Sequence, residues 1–125
     1  MKRACIYLKL TKEDLYNAMR VVQDQKKTIE LIENEPDWKY AGSYACTENL
    51  DTEFQKLLSD CRRGKIDVII IKNVDQLGSD PDECMRAASL LQEAAGDGIE
   101  LISIEEGIFT LGDLIQKIRS MIPCK

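Results

Sequence analysis

Histidine is absent from the 125 residues. No side chain therefore titrates near neutrality at its ordinary pKa, and acid or base work would fall to shifted carboxylates, lysines or thiols. Proline occurs only three times, and Pro36, Pro81 and Pro123 each sit at the edge of a helical pattern rather than inside one. No apolar run approaches the ~20 residues that span a bilayer. The apolar part of "MKRACIYLKL" is too short for a secretory leader, so a cytoplasmic chain without membrane association is expected. The five cysteines (Cys5, Cys46, Cys61, Cys84, Cys124) form no CxxC pair and no zinc-ligand spacing. With histidine missing, that pattern argues for reduced thiols packed as small hydrophobes, Cys5, Cys61 and Cys84 at core positions, and for neither a metal nor a cofactor. Basic residues are also in deficit. The formal charge of −5 opposes stand-alone nucleic-acid binding, because neutralising phosphates takes clustered Lys and Arg. The densest basic stretch, "RRGK" at 62–65, reads as a helix C-terminus whose cations face the negative end of the dipole, with Gly64 as the stop.

What is present describes a globular chain, 44% hydrophobic and 31% charged, long enough to bury roughly two-thirds of its unfolded surface in one core. Residues 4–10 read as a strand. "TKED" supplies a capping box, Thr11 as N-cap and Asp14 as its reciprocal partner, and a long helix follows to about Glu33 with Leu15, Met19, Val22, Ile29 and Ile32 as its apolar stripe. A second strand runs over 38–45. Phe54, Leu57, Leu58 and Cys61 mark a helix ending at Gly64, and the β-branched run 68–71 suits a central parallel strand covered on both faces. Asp80 caps the next helix with Pro81 at its first position, the helix stopping near Gly96. A strand over 99–104, the segment "EEGIF" and a last helix over 111–121 complete the chain. Strand and helix alternate without repeats or linkers. The fold class expected is therefore α/β: a three-layer α/β/α sandwich around a mostly parallel sheet of four to five strands. The strand ends at 8–11, 45–51 and 72–80 are expected to converge on one pocket, since such sheets bind ligands at their C-terminal edges.

"CIYLKLTKED", "EFQKLLSDCRRGKIDVIIIKNVDQLGSD" and "IEEGI" resemble the N-terminal catalytic domain of serine recombinases, the resolvases and invertases. The resemblance spans nearly the whole chain and is most specific from Phe54 to Asp80. It implies a resolvase-like fold and a reaction in which a serine hydroxyl attacks a DNA phosphodiester, forms a phosphoserine link and passes the strand to a new partner. Arginines surround the phosphate, where planar guanidinium groups stabilise charge building on its oxygens. It also implies one catalytic-like domain over 1–125, its last helix cut short and no DNA-binding domain after it.

Position by position the chain departs from that chemistry. Tyr-x-Arg-x-Ser reads Tyr7-Leu8-Lys9-Leu10-Thr11, which puts threonine at the nucleophile and lysine beside it. Asp51 stands at the arginine position before the second helix, Gln76 and Ser79 at the two in the loop after the third strand. Lys72, Asp75 and Asp80 keep the loop's frame, Gln25 matches a glutamine of the first helix, and "CTENLD" lacks the Gly-rich stretch of the family's loop. The catalytic positions are thus Lys9, Thr11, Lys72 and Asp75, in degenerate form. Asp51, Asp75 and Asp80 are expected to face only Lys9 and Lys72, leaving a pocket of neutral or negative potential.

The leading expectation is a catalytically silent recombinase domain kept as an interaction or regulatory module. It would form a homodimer or pair with an active recombinase, and meet DNA weakly or only through that partner. The rival is a diverged strand-exchange enzyme whose partner supplies arginines, and a third reading is an acidic pocket on Asp51, Asp75 and Lys72. The apolar residues of the last helix, Ile115, Ile118 and Met121, would cover either a partner copy or their own core.

Overall fold

The computed structural model describes residues 1–47, 52–78 and 80–121. Its elements in chain order are β1 (Lys2–Lys9), α1 (Lys12–Tyr16), α2 (Ala18–Asn34), β2 (Trp38–Cys46), α3 (Thr52–Arg62), β3 (Val68–Ile71), a 3-10 turn (Val74–Leu77), α4 (Pro81–Ala95), β4 (Glu100–Ser103), β5 (Gly107–Thr110) and α5 (Leu111–Met121). The sheet order is β2-β1-β3-β4-β5. The pairs β1/β2, β1/β3 and β3/β4 are parallel and only β4/β5 is antiparallel. This is the expected α/β architecture, with β5 as an addition: "EEGIF" forms a tight turn back onto β4, a hairpin too short for periodicity to announce.

β3 explains the layering. All four of its residues are buried, and because side chains alternate across a strand, Ile69 and Ile71 join one core while Val68 and Ile70 join another. The larger core lies against α3, α4 and α5 and takes in Phe54, Leu57, Leu91, Leu101 and Leu114. The smaller contains Ala4 and Ile6 of β1 and, from α2, Ile32. Cys5, Cys46, Cys61 and Cys84 are all buried. Burial and then the neighbouring Asp60 push Cys61 up to about 12, so these are packing groups rather than nucleophiles.

Local signals set most boundaries. Lys65 N–H donates to Asp60 O and Gly64 N–H to Cys61 O, both at 3.0 Å, the paired bonds that close a helix when the residue past its end turns left-handed; Gly64 does so at φ 69°. Asp80 accepts from Glu83 N–H at 2.9 Å to start α4. In α5, Leu114 and Ile118 are fully buried in the chain's own core, so this helix covers its own sheet.

The expected long helix after Thr11 is corrected. It breaks at Asn17 (φ −113°, ψ 48°) into α1 and α2, and Met19 and Val22 are 74% and 60% exposed. The inward side of α2 is Val21, Gln25, Thr28 and Ile32, spaced 4, 3 and 4 residues apart, and two of these are polar. Of the expected apolar stripe, Met19 and Val22 face outward, whereas Ile32 is buried in the smaller core and Ile29 packs against it. The break at Asn17 also shifts the helical phase, so residues before and after it do not share a stripe.

Candidate functional site

The C-terminal end of β1 is held from both sides. Leu10 N–H donates to Cys46 O of β2 at 2.7 Å, and Lys9 N–H donates to Gln76 Oε1 in the 3-10 turn at 2.6 Å. Thr11 then starts α1 through the expected capping box. Its hydroxyl donates to Asp14 Oδ2 at 3.0 Å and accepts from Asp14 N–H at 3.2 Å. The carboxylate of the capping partner thus stands within hydrogen-bond reach of the hydroxyl. The same oxygen also accepts Thr11's own N–H at 2.7 Å, so both contacts serve the helix start.

The turn after β3 is wedged against α4. At Gly78 an added Cβ would lie 2.4 Å from Glu83 Cβ and 2.8 Å from Cys84 N, so glycine is what lets the turn sit on the first turn of the helix. Val74 N–H donates to Glu106 Oε1 at 3.3 Å, and the other oxygen of Glu106 accepts from the Ser103 hydroxyl, which ties the turn to the β4–β5 hairpin. Asn73 Oδ1 is buried here without a hydrogen-bond partner among the described residues. The Cys84 thiol lies 3.5 Å from both Val74 O and Gly78 O. Burial pushes it up to about 11, Asp75, Asp80 and Glu83 add to the rise, and Lys9 opposes it. Lys9, Asp75 and Asp80 therefore all act on the Cys84 thiol at the start of α4.

On the other side of the sheet α2 stands off from the strand ends and leaves a cleft of about 320 Å³. Its floor is Ile6, Leu8 and Ile70, and Val21, Leu31 and Ile104 flank it. Lys9, Lys27 and Lys72 line it together with Asp14 and Asp24. This corrects the expected charge balance. Asp75 and Asp80 do not line the cleft, and Lys27 adds a third cation beside Lys9 and Lys72. Lys27 becomes legible only once the inward side of α2 is known, because it sits three residues from Asp24 and four from Leu31 on the same flank. Gln25 and Gln76 also line the cleft.

Two of the three expected segments converge there, the ends of β1 and β3; Ala45–Thr47 do not. Asp51, Ser79 and most of "CTENLD" lie outside the described residues. The acidic pocket considered as a third reading is not formed by the described residues, since Asp75 is exposed on its turn and lies apart from the lining that holds Lys72.

Residues 6–122 match the family described as "Resolvase, N terminal domain". The chain belongs to this family. The resolvase fold is shared with the N-terminal catalytic domain of TP901-1 integrase, at 16% identity and TM-score 0.66 over 96% of this chain and 93% of that one. A resolvase family site-specific recombinase from Streptococcus pneumoniae is also similar, at 16% identity and TM-score 0.69 over 97% and 85%. So is the C-terminal catalytic domain of ISC1926 TnpA, an IS607-like serine recombinase, at 16% identity and TM-score 0.58 over 95% and 79%. No curated protein matches the sequence significantly. Among the described residues of this resolvase domain, no three His, Cys, Asp or Glu side chains are grouped to hold a metal ion. No helix among them is long and apolar enough to cross a membrane.

Proposed function

We propose that this resolvase domain is silent in DNA strand exchange and serves in the cytoplasm as an interaction module, pairing with an active recombinase or with its own copy and meeting DNA through that partner. The observation that carries this reading is the contact between Gln76 and Lys9. At a position where the resemblance places an arginine, the side chain presents an amide oxygen that is occupied by a backbone N–H. An attacked phosphodiester needs donors at that place. Losing one oxyanion donor costs about 10²–10³ in rate, and losing an arginine that acts on a phosphoryl group about 10³–10⁵. Here Asp51, Gln76 and Ser79 replace three arginines and Lys9 a fourth. Thr11, at the nucleophile position, has its hydroxyl engaged in a helix cap.

The test is incubation of the purified chain with supercoiled plasmid, alone and beside an active serine recombinase. Nicking by the chain, or a covalent adduct at Thr11, would sink the proposal. One observation favours the rival, a diverged enzyme completed by its partner: the Asp14 carboxylate 3.0 Å from the Thr11 hydroxyl could accept its proton. Under that reading Lys9, Thr11, Lys72 and Asp75 act on the strand, and restoring arginine at 9, 76 and 79 with serine at 11 raises cleavage beside the active partner. No gain from that combination counts against it.

A further inference from the structure

We propose that the cleft between α2 and the ends of β1 and β3 binds a small organic anion: an apolar ring or branched chain carrying one phosphate or carboxylate group. Three observations support this. The volume of about 320 Å³ falls at the lower end of the range for small-molecule sites, ~300–1,000 Å³, enough for one ring and its head group and far too little for a duplex. The floor of Ile6, Leu8 and Ile70 is apolar, and beside it Leu31 and Ile104 remain 58% and 50% exposed, so the cleft offers a wet apolar surface to a matching body. The charge at the opening runs against that of the chain as a whole. Lys27 on α2 and Lys72 after β3 come from opposite walls, and neither is in an ion pair with a described residue. Asp14 and Asp24 oppose three lysines at the cleft, Lys9, Lys27 and Lys72, which leaves one net positive charge. In a protein of net charge −5, a cationic opening over an apolar floor selects a ligand with both features.

The inference does not depend on whether the chain cuts DNA. Plasmid nicking would overturn the silent reading and leave this one standing, and failure of the binding test below would do the reverse.

The experiment is methyl-detected NMR of the full chain titrated with phenyl phosphate and benzoate, with inorganic phosphate and benzyl alcohol as controls. Saturable shifts of the Leu8, Val21, Leu31, Ile70 and Ile104 methyls are expected with both aromatic anions, and much smaller ones with either control. Lys27→Gln and Lys72→Gln each weaken binding on the order of threefold, as exposed charge partners do, and added salt weakens it further. Both lysines are exposed, so these variants keep the fold. Leu31→Trp, also at an exposed position, fills the cleft and abolishes the shifts. The proposal is overturned by unmoved methyls at probe saturation, or by benzyl alcohol binding as tightly as the anions. Inorganic phosphate reproducing the shifts, or a double lysine variant that binds like the parent, also overturns it.

Discussion

The amide oxygen of Gln76 accepts the backbone N–H of Lys9 at 2.6 Å, joining the end of β1 to the turn after β3. Arginine carries donors only, so it cannot make this contact. Gln76→Arg is expected to lower the unfolding free energy by about 1–2 kcal/mol, the cost of leaving a partly buried N–H without its partner. Gln76→Glu, which keeps an acceptor, should lose less. Urea denaturation of the two variants decides the point; equal stability of Gln76→Arg and the parent would show that the contact contributes nothing.

Thr11 is read as a cap. Thr11→Val removes the hydroxyl that accepts Asp14 N–H and should cost about 0.5–2 kcal/mol, whereas Thr11→Ser should be nearly neutral. Thermal melts of both, run beside the plasmid assay, separate a structural role from a nucleophilic one: a nucleophile would show a loss of cleavage in Thr11→Val, a cap only a lower Tm.

Gly78 is required for space rather than for backbone freedom. Its φ of 177° is extended backbone open to any residue, yet a Cβ there would meet Glu83 Cβ at 2.4 Å and Cys84 N at 2.8 Å. Gly78→Ala must push α4 away from the turn and is expected to cost about 1–3 kcal/mol, as overpacking does. Gly98→Ala, with nothing within 4 Å of the new atom, serves as the neutral control in the same denaturation series.

Asp67 gives the fold an acid-sensitive contact at the opposite end of the sheet. The Arg3 side chain first, and then its backbone N–H, hold the Asp67 carboxyl below the usual carboxylate range, with Arg3 Nε 3.1 Å and Arg3 N 2.8 Å from Asp67 Oδ2. A carboxyl lowered on folding adds stability above its unfolded value, and that stability is lost as pH falls through the folded value. The side chains of Arg3 and Asp67 are 43% and 37% exposed, so the contribution is held to less than about 1 kcal/mol by solvent screening. Asp67→Asn should therefore be less stable than the parent near pH 7, and the gap should close below about pH 3. A gap independent of pH would rule the ion pair out as its source.

The exposed side of α2 can be tested directly. Met19→Lys and Val22→Lys should leave stability within about 0.5 kcal/mol of the parent, as surface changes do. Ile32→Ala, at a fully buried position, should cost about 2–5 kcal/mol. If the two lysine variants unfold as easily as Ile32→Ala, α2 is seated on its other side.

Caps, stops and the β-branched run 68–71 are written in neighbouring residues, so Thr11 with Asp14, Gly64 after α3, and Asp80 before Pro81 were legible in the chain itself. Contacts between segments decided the rest. Which side of α2 meets the sheet depends on its packing against β1 and β2, its neighbours in the chain, and Lys27 joins Lys72 at one opening only because β3 pairs beside β1. That Asp75 and Asp80 act on Cys84 across the sheet from that opening depends on which way alternate residues point once the register is set. β5 exists only because β4 offers it an edge. Local propensity acts over one turn or one strand, and the cleft is built from pieces that meet only after those turns and strands have packed.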